Sequence, residues 1–270
     1  MAEPNASPPA PSNTLPPDAP RPFVVPFRTL DGAAPLRWLR LGWQDLRRAP
    51  GPTAALGVCV VVLSAVVSAL AWQLGRFALL AALLSGFVFV APLLAVGLYG
   101  VSRALEAGRP PRLRESLALA RSVMGQAAVF ALVQGVVLFT WSRAGMMVSA
   151  FMEIEPGNLR SLLEFLAVGS AFGAVFAALT FAATAFSLPM IADRDVDMVT
   201  ACVSSINAVL HNKRVMLLWG ALIAALTLLA FATLLIGLAI VMPWLAYAAW
   251  HGYRETLDAS SWPALGVSGD

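Results

Sequence analysis

The densest group of chemically active side chains follows a long apolar stretch in the second half of the chain. Asp193, Asp195 and Asp197 surround Arg194 there, and His211 lies 14 residues beyond Asp197. Carboxylates at this spacing can hold a divalent cation, and together with a histidine they can move protons at a lipid head group. The glycine and glutamate of an EF-hand loop do not follow. A helix-capping turn is therefore favoured, and an enzyme that uses the three aspartates and His211 is the alternative.

Metal and haem sites need clustered histidines, cysteines or carboxylates. The two histidines are His211 and His251, and the two cysteines are Cys59 and Cys202, so each pair is widely separated in the sequence. Two cysteines are also too few for a disulfide framework. We therefore expect no metal, no cofactor and no catalytic constellation.

Five further residues stand out because they interrupt apolar segments. Arg143 lies near one end of such a segment, where a long side chain can reach the membrane interface; a polar pocket that includes Gln134 is the alternative. Pro92, Pro189 and Pro243 each fall inside an apolar segment. Because proline removes a backbone hydrogen bond, these three positions are candidate hinges or pathway-lining residues.

Apolar segments without any charged residue make up most of the chain beyond residue 50. Hydrophobic residues are 59% of the sequence and charged residues only 12%, whereas an average soluble domain has about 25% charged residues. A soluble domain cannot bury so much apolar helix, so the surrounding solvent must be lipid. The composition predicts an all-α fold, a polytopic bundle of membrane helices.

A helical span needs about 20 apolar residues, and the chain holds six such segments. Residues 215–250 form one uncharged run of 36 residues, which would be about 54 Å long as a helix. That length predicts a hairpin with its turn near Gly237, and one long tilted or kinked helix is the alternative. The six predicted spans are Thr53–Trp72, Phe77–Tyr99, Gly125–Val148, Leu162–Pro189, Arg214–Phe231 and Ile236–Tyr253.

The basic residues are distributed unevenly among the segments that connect the spans. If the N-terminus is cytoplasmic, 15 of the 18 basic residues lie on the cytoplasmic side, and Arg76, Arg143 and Arg160 are the exceptions. This is the positive-inside pattern. We therefore predict a bacterial inner-membrane protein with both termini in the cytoplasm. The net charge of +3 is then explained by topology and does not indicate binding to nucleic acid.

Each pair of spans follows a short amphipathic segment, which gives the chain three units of one interfacial helix and one hairpin. These segments are Pro35–Arg48, Pro111–Ser122 and Asp197–Asn212. Helices of this kind lie in the head-group plane with their apolar face toward the lipid chains. In the third segment, Thr200 and Ser204 point away from the apolar stripe.

The two ends of the chain are short tails around one membrane domain. Residues 1–24 are rich in proline and predicted to be disordered. Residues 25–256 form the single transmembrane domain, and residues 257–270 form a short C-terminal tail.

Three stretches resemble a family of uncharacterised integral membrane proteins, known mainly from proteobacteria and predicted to have six spans. They are Arg40–Leu46 (RLGWQDL), Leu188–Asp195 (LPMIADRD) and Pro243–Arg254. The resemblance extends over about residues 25–258. It implies an inner-membrane location, but it brings no assigned function and no catalytic residues to transfer.

Two functions fit these observations. The favoured one is a non-enzymatic scaffold, assembly or regulatory component of a membrane complex, whose partners are the lipid bilayer and another membrane protein. The alternative is a carrier or channel for an apolar or lipid-like substrate, because such a substrate requires few charges inside the membrane. That alternative predicts a cavity near Pro92, Pro189 and Pro243.

Overall fold

The protein is all-helical. The computed structural model describes residues 22–74, 77–152, 157–233 and 236–266, without the side chains of residues 70–91. The predicted disordered tail up to residue 21 lies outside the described residues. The described part forms ten helices and two isolated β-bridges. The helices are α1 (Ala34–Arg48), α2 (Pro50–Leu74), α3 (Phe77–Glu106), α4 (Leu113–Ser122), α5 (Met124–Phe151), α6 (Leu159–Thr184), α7 (Ser187–Asp193), α8 (Met198–His211), α9 (Lys213–Ala232) and α10 (Leu238–Thr256).

Three pairs of long helices each follow a short helix, which agrees with the predicted order of elements. The pairs are α2–α3, α5–α6 and α9–α10, preceded by α1, α4 and α8. The long apolar run after residue 213 is two helices, as predicted. Between them, the Gly237 N–H donates to Thr233 Oγ1 at 2.8 Å, and Thr233 Oγ1 donates to the Ala230 carbonyl at 2.7 Å. These bonds close the turn without any charged residue.

Four helical segments of the described residues are long and apolar enough to cross a membrane. They are Pro50–Ala69 in α2, Met124–Phe151 (α5), Leu159–Asp193 (α6 together with α7) and Lys213–Ala232 (α9). The side chains of α3 up to residue 91 are not among those that the structure describes. The 19-residue helix α10 carries His251 and Arg254 toward its end, which lowers its hydropathy, and more than half of its residues are buried. The arrangement of six spans therefore remains a prediction.

The predicted fourth span is interrupted before Pro189. Helix α6 ends at Thr184, and α7 begins at Ser187. The ring of Pro189 would clash with the backbone carbonyl four residues earlier in a continuous helix, and Pro189 has no N–H to donate. In the first turn of α7 neither property matters. The break frees the Phe186 N–H from the helix, and this N–H donates to Ser205 Oγ at 3.1 Å.

The core lies where α1 packs along α10. Gly42 of α1 allows this close approach, because a Cβ there would lie 2.6 Å from the Ala248 nitrogen. On the same face, the buried Trp38 ring contacts Gly252 and meets Trp219 of α9 edge-on, with 5.5 Å between ring centroids. Helices α1, α9 and α10 are thus joined at one end of the bundle.

Both ends of the described chain meet at this end of the bundle. The Arg28 N–H donates to the Thr256 carbonyl at 2.8 Å, and the Asp258 N–H donates to the Pro26 carbonyl at 2.9 Å. We call it the basic end, because Arg103 and Arg254 lie there in the last turns of α3 and α10. A membrane chain whose two ends lie on one side crosses the bilayer an even number of times.

Helix α8 turns its polar face toward the protein. Ser204 is fully buried, and its hydroxyl accepts from the Val25 N–H at 2.9 Å and donates to the Thr200 carbonyl at 2.7 Å. Val199 and Leu210, in contrast, are 60% and 53% exposed. Thr200 and Ser204 do point away from the apolar stripe, as predicted, but both are buried, and Ser204 contacts the N-terminal segment instead of water.

Candidate functional site

Asp193 lies at the centre of a buried ionic cluster at the basic end. Its Oδ2 accepts from Tyr253 OH at 2.8 Å, from Arg194 Nε at 3.0 Å and from Arg254 Nη1 at 3.3 Å. The residue is only 7% exposed. One carboxylate on α7 thereby holds three donor groups, two on α10 and one in the segment after α7.

A third arginine ties the C-terminal tail to this cluster. Arg103 Nε lies 3.9 Å from Asp193 Oδ1, and its Nη2 donates to the Leu265 carbonyl at 2.6 Å. Burial lowers the pKa of Arg103, and the nearby Asp193 carboxylate opposes that effect. Arg194 Nη1 donates to the Trp262 carbonyl at 3.0 Å. The predicted C-terminal tail is thus anchored through residues 262–265.

The three aspartates and His211 do not converge on one site. Asp195 is exposed, and its N–H donates to the Pro263 carbonyl. Asp197 caps α8, with Oδ1 accepting from the Thr200 N–H at 2.9 Å, so the capping role predicted for this turn is confirmed at Asp197. His211 lies at the other end of α8, about 20 Å away at 1.5 Å per residue. Among the described residues no group of three potential metal ligands is found.

A second buried polar cluster joins α1, α3 and α10. Asp45 Oδ2 accepts from Ser102 Oγ at 2.7 Å and lies 2.8 Å from His251 Nε2. These residue types resemble a hydrolase triad, but here the carboxylate lies between the other two groups. Serine therefore lacks contact with the histidine that would have to activate it. The arrangement links three helices and provides no nucleophile.

Sequence reasoning missed most members of both clusters. Arg103, Tyr253 and Arg254 lie 60 or more positions from Asp193, and Asp45 lies 206 positions from His251. Each looked like an ordinary helix-end residue. The sequence does place an aspartate beside an apolar run and arginines near the ends of helices. That pattern does not say which carboxylate pairs with which arginine.

The remaining predicted positions lie in different surroundings. Gln134 lines a cavity of about 330 Å³ between α5 and α6, together with Trp141. Arg143 is exposed on α5, and its reach to the membrane interface stays a prediction. Pro92, Pro189 and Pro243 are buried.

A larger space than the one beside Gln134 lies on a different part of the protein, between α6 and α9 with α8 at its base. This α6–α9 groove has a volume of about 990 Å³. It is open toward the surroundings, since Leu217 and Leu228 are 74% and 70% exposed. Its lining residues are Ala177, Ala178, Phe181, Ala182, Val209, Leu210, Lys213, Met216, Leu217, Gly220, Ala221, Ile223, Ala224, Thr227, Leu228 and Phe231.

Nearly all of the groove is apolar. Lys213 and Thr227 are the polar residues among those that line it. The Phe181 ring lies over Gly220, where a Cβ would be 3.8 Å from Phe181 Cζ. From Lys213 to Phe231 the groove follows α9 for about 27 Å, most of the roughly 30 Å thickness of a bilayer's hydrocarbon core. This arrangement can hold a long apolar molecule with a polar group at one end.

Residues 79–193, from α3 to α7, match the model of a family described as "Predicted integral membrane protein (DUF2189)". The match covers fewer than half of the 270 residues. No curated protein and no solved structure matches the chain. The chain is therefore similar to a family of predicted integral membrane proteins of unknown function, and its apolar helices lie in a lipid bilayer. In this coarse form the sequence interpretation is confirmed, while a bacterial source and six spans remain predictions.

Proposed function

We propose that the chain is a non-enzymatic membrane protein that binds an apolar, lipid-like molecule in the α6–α9 groove. The observation that carries this proposal is the groove itself, whose volume of about 990 Å³ is at the upper end of the range for small-molecule sites, about 300–1,000 Å³. Of the two functions that the sequence suggested, the geometry favours the carrier-like one, although the groove lies away from the three prolines.

The walls of the groove explain how it stays open. Helix α6 contacts α5, α7 and α8, and α9 packs on α1, α8 and α10, so the two walls belong to different parts of the bundle. The Phe181 ring fills the space above Gly220. Beside it, small side chains such as Ala178, Ala221 and Ala224 leave the apolar surface uncovered. In a bilayer this surface is covered by lipid chains or by a ligand of similar character.

The chemistry of the polar clusters supports a non-enzymatic role. The Asp193 carboxylate is occupied by Tyr253 and two arginines, and Asp197 is occupied by the start of α8. Both carboxylates thus serve as hydrogen-bond acceptors for groups of this protein itself, and a general base instead has to face a substrate. The residues of the Asp193 cluster, and Asp197, are not among those that line the groove.

The proposal is tested by the phospholipid that the purified protein retains. After extraction in a mild detergent and prolonged washing, we expect the wild type to keep bound lipid. Ala221→Trp fills the groove and should lose most of it. Ala225→Trp places the same side chain on an exposed, non-lining position of α9 and should retain the wild-type amount.

A second blocking variant, Ala224→Trp, keeps the conclusion from depending on whether one substituted protein folds. Both blocking variants should elute and melt as the control does. Equal lipid retention in the blocking variants and the control would contradict the proposal, as would a wild type that retains no lipid.

A scaffold for another membrane protein is the second candidate, and the α5–α6 hairpin favours it. Over Leu159–Thr184 no residue of α6 is buried. A helix so little covered by its own chain offers a surface to a partner's transmembrane helix. Mild solubilisation should then recover one partner in fixed ratio, and Ala174→Trp on the exposed face should reduce that recovery. Repeated recovery of the protein alone would contradict this candidate.

A further inference from the structure

The α6–α9 groove has a cationic group at one end only. Lys213 lines it at the basic end, where α9 begins, and is exposed. Within the described part of the chain, Lys213 belongs to no ion pair. At the opposite end the groove finishes at the apolar Leu228 and Phe231. The site therefore combines a long apolar wall with one positive charge at its mouth.

The local helix geometry adds to this positive potential. Arg214 follows Lys213 in the first turn of α9, and that turn contains no acidic residue. The preceding Asn212 does not cap the helix, because its Oδ1 accepts from the Leu30 N–H and its Nδ2 donates to the Arg28 carbonyl. Cations at a helix N-terminus are in an unfavourable field. A negatively charged group held by Lys213 relieves that repulsion.

Lys213 begins the apolar helix α9, so a phosphate bound there would lie at the end of a candidate membrane span. Lys213 lies at the same end of the bundle as the Asp193 cluster and both ends of the described chain. From there, apolar side chains continue along α9 toward the membrane interior. A molecule with its phosphate at Lys213 would lay its chain along Met216, Gly220 and Ala224.

We propose that the ligand of the groove is an anionic phospholipid, whose phosphate contacts Lys213 Nζ and whose acyl chain lies along α9. This inference rests on the proposed function and specifies the ligand's head group. Lysine holds phosphate as a point charge without demanding a fixed geometry. The phospholipid comes from the leaflet at the basic end.

The test compares two lipids with identical chains, one with an anionic and one with a zwitterionic head group. Purified, delipidated protein in detergent is titrated with phosphatidylglycerol or with phosphatidylcholine of identical chains, and bound lipid is counted by native mass spectrometry. The wild type should prefer phosphatidylglycerol. Lys213→Gln should reduce that preference about fivefold, the effect of one lysine near a phosphate, and Lys213→Arg should keep it.

Arg214→Gln is the matched control, because Arg214 is the adjacent cation but does not line the groove. It should retain most of the preference. A wild type that binds both lipids equally, with both lost in Ala221→Trp, would overturn the anionic ligand and leave the groove's function standing. Failure to bind either lipid would overturn the proposed function as well.

Two further outcomes separate the lipid from other occupants. Inorganic phosphate added alone should not displace phosphatidylglycerol, because it makes no contact with the apolar wall; displacement at equal concentration would overturn the lipid assignment. A protein that co-purifies in fixed ratio and is lost with Ala221→Trp would identify a partner helix as the occupant and would also overturn it.

Discussion

At the scale of single residues, Asp193 holds the basic end together. Its carboxylate accepts from Tyr253, Arg194 and Arg254, and all three donors lie at least partly within the protein. Cations and a phenol removed from water need such an acceptor, because an unpaired buried charge is strongly unfavourable. Asp193 is therefore a structural residue whose loss affects α3, α7, α10 and the tail together.

Asp193→Ala should destabilise the protein by about 3 kcal/mol, near the low end for breaking a buried ion pair. The low end applies because Arg254 keeps its bond to Glu106 at 3.0 Å. The measurement is thermal unfolding in detergent. Asp195→Ala, two residues on and exposed, should change stability by less than about 0.5 kcal/mol. Equal losses in the two variants would contradict the anchoring role.

At the scale of elements, close packing of α1 on α10 depends on one glycine. A Cβ at Gly42 would lie 2.6 Å from the Ala248 nitrogen and 2.9 Å from the Trp244 carbonyl oxygen. Neither backbone atom can move without shifting α10. The interface therefore specifies the relative position of two helices that are far apart in sequence.

Gly42→Ala should destabilise the protein by about 1–3 kcal/mol, the usual cost of overpacking. At Gly51 in α2 a new Cβ meets nothing within 4 Å. Gly51→Ala should therefore be neutral or stabilising by up to about 1 kcal/mol. Melting temperatures of the two variants check this, and a stable Gly42→Ala protein would show that α1 does not pack as described.

The Asp197 cap at the start of α8 makes the stability of the protein depend on pH. Hydrogen bonds from the Thr200 side chain and N–H lower the pKa of Asp197 below its usual value of about 4. A lowered pKa in the folded state contributes stability above the unfolded value, and this is lost as pH falls through the folded value. Asp197→Asn, which still caps a helix, should thus lose less stability than the wild type between pH 5 and 3. An Asp195→Asn control should follow the wild type, and identical curves for all three would contradict the capping charge.

The sequence predicts elements better than their packing. Charge-free runs and short amphipathic segments indicated all the long helices and α1, α4 and α8, because local periodicity and hydropathy determine them. The break before Pro189 was missed, since hydropathy continues through it. The Asp45 cluster and the α6–α9 groove depend on contacts between residues far apart, which hydropathy does not reveal.

At the scale of the whole molecule, the paired ends support an even number of crossings. A fluorescent protein fused after Asp270 should fold and fluoresce if the C-terminus is cytoplasmic, as the positive-inside pattern predicts. A fusion after Asn158, in the turn before α6, should stay dark after export. A bright fusion at Asn158 together with a dark one at Asp270 would reverse the orientation.

The occupant of the groove is tested most directly by photo-crosslinking from within it. A photoreactive residue replaces Leu217, which lines the groove, or Leu229, an exposed residue of α9 outside it. Cells are solubilised in mild detergent before irradiation, so that bulk lipid is diluted away. We predict an adduct at Leu217 with the mass of an anionic phospholipid, and little adduct at Leu229. A protein adduct at Leu217, or equal lipid adducts at both positions, would contradict a lipid-binding groove.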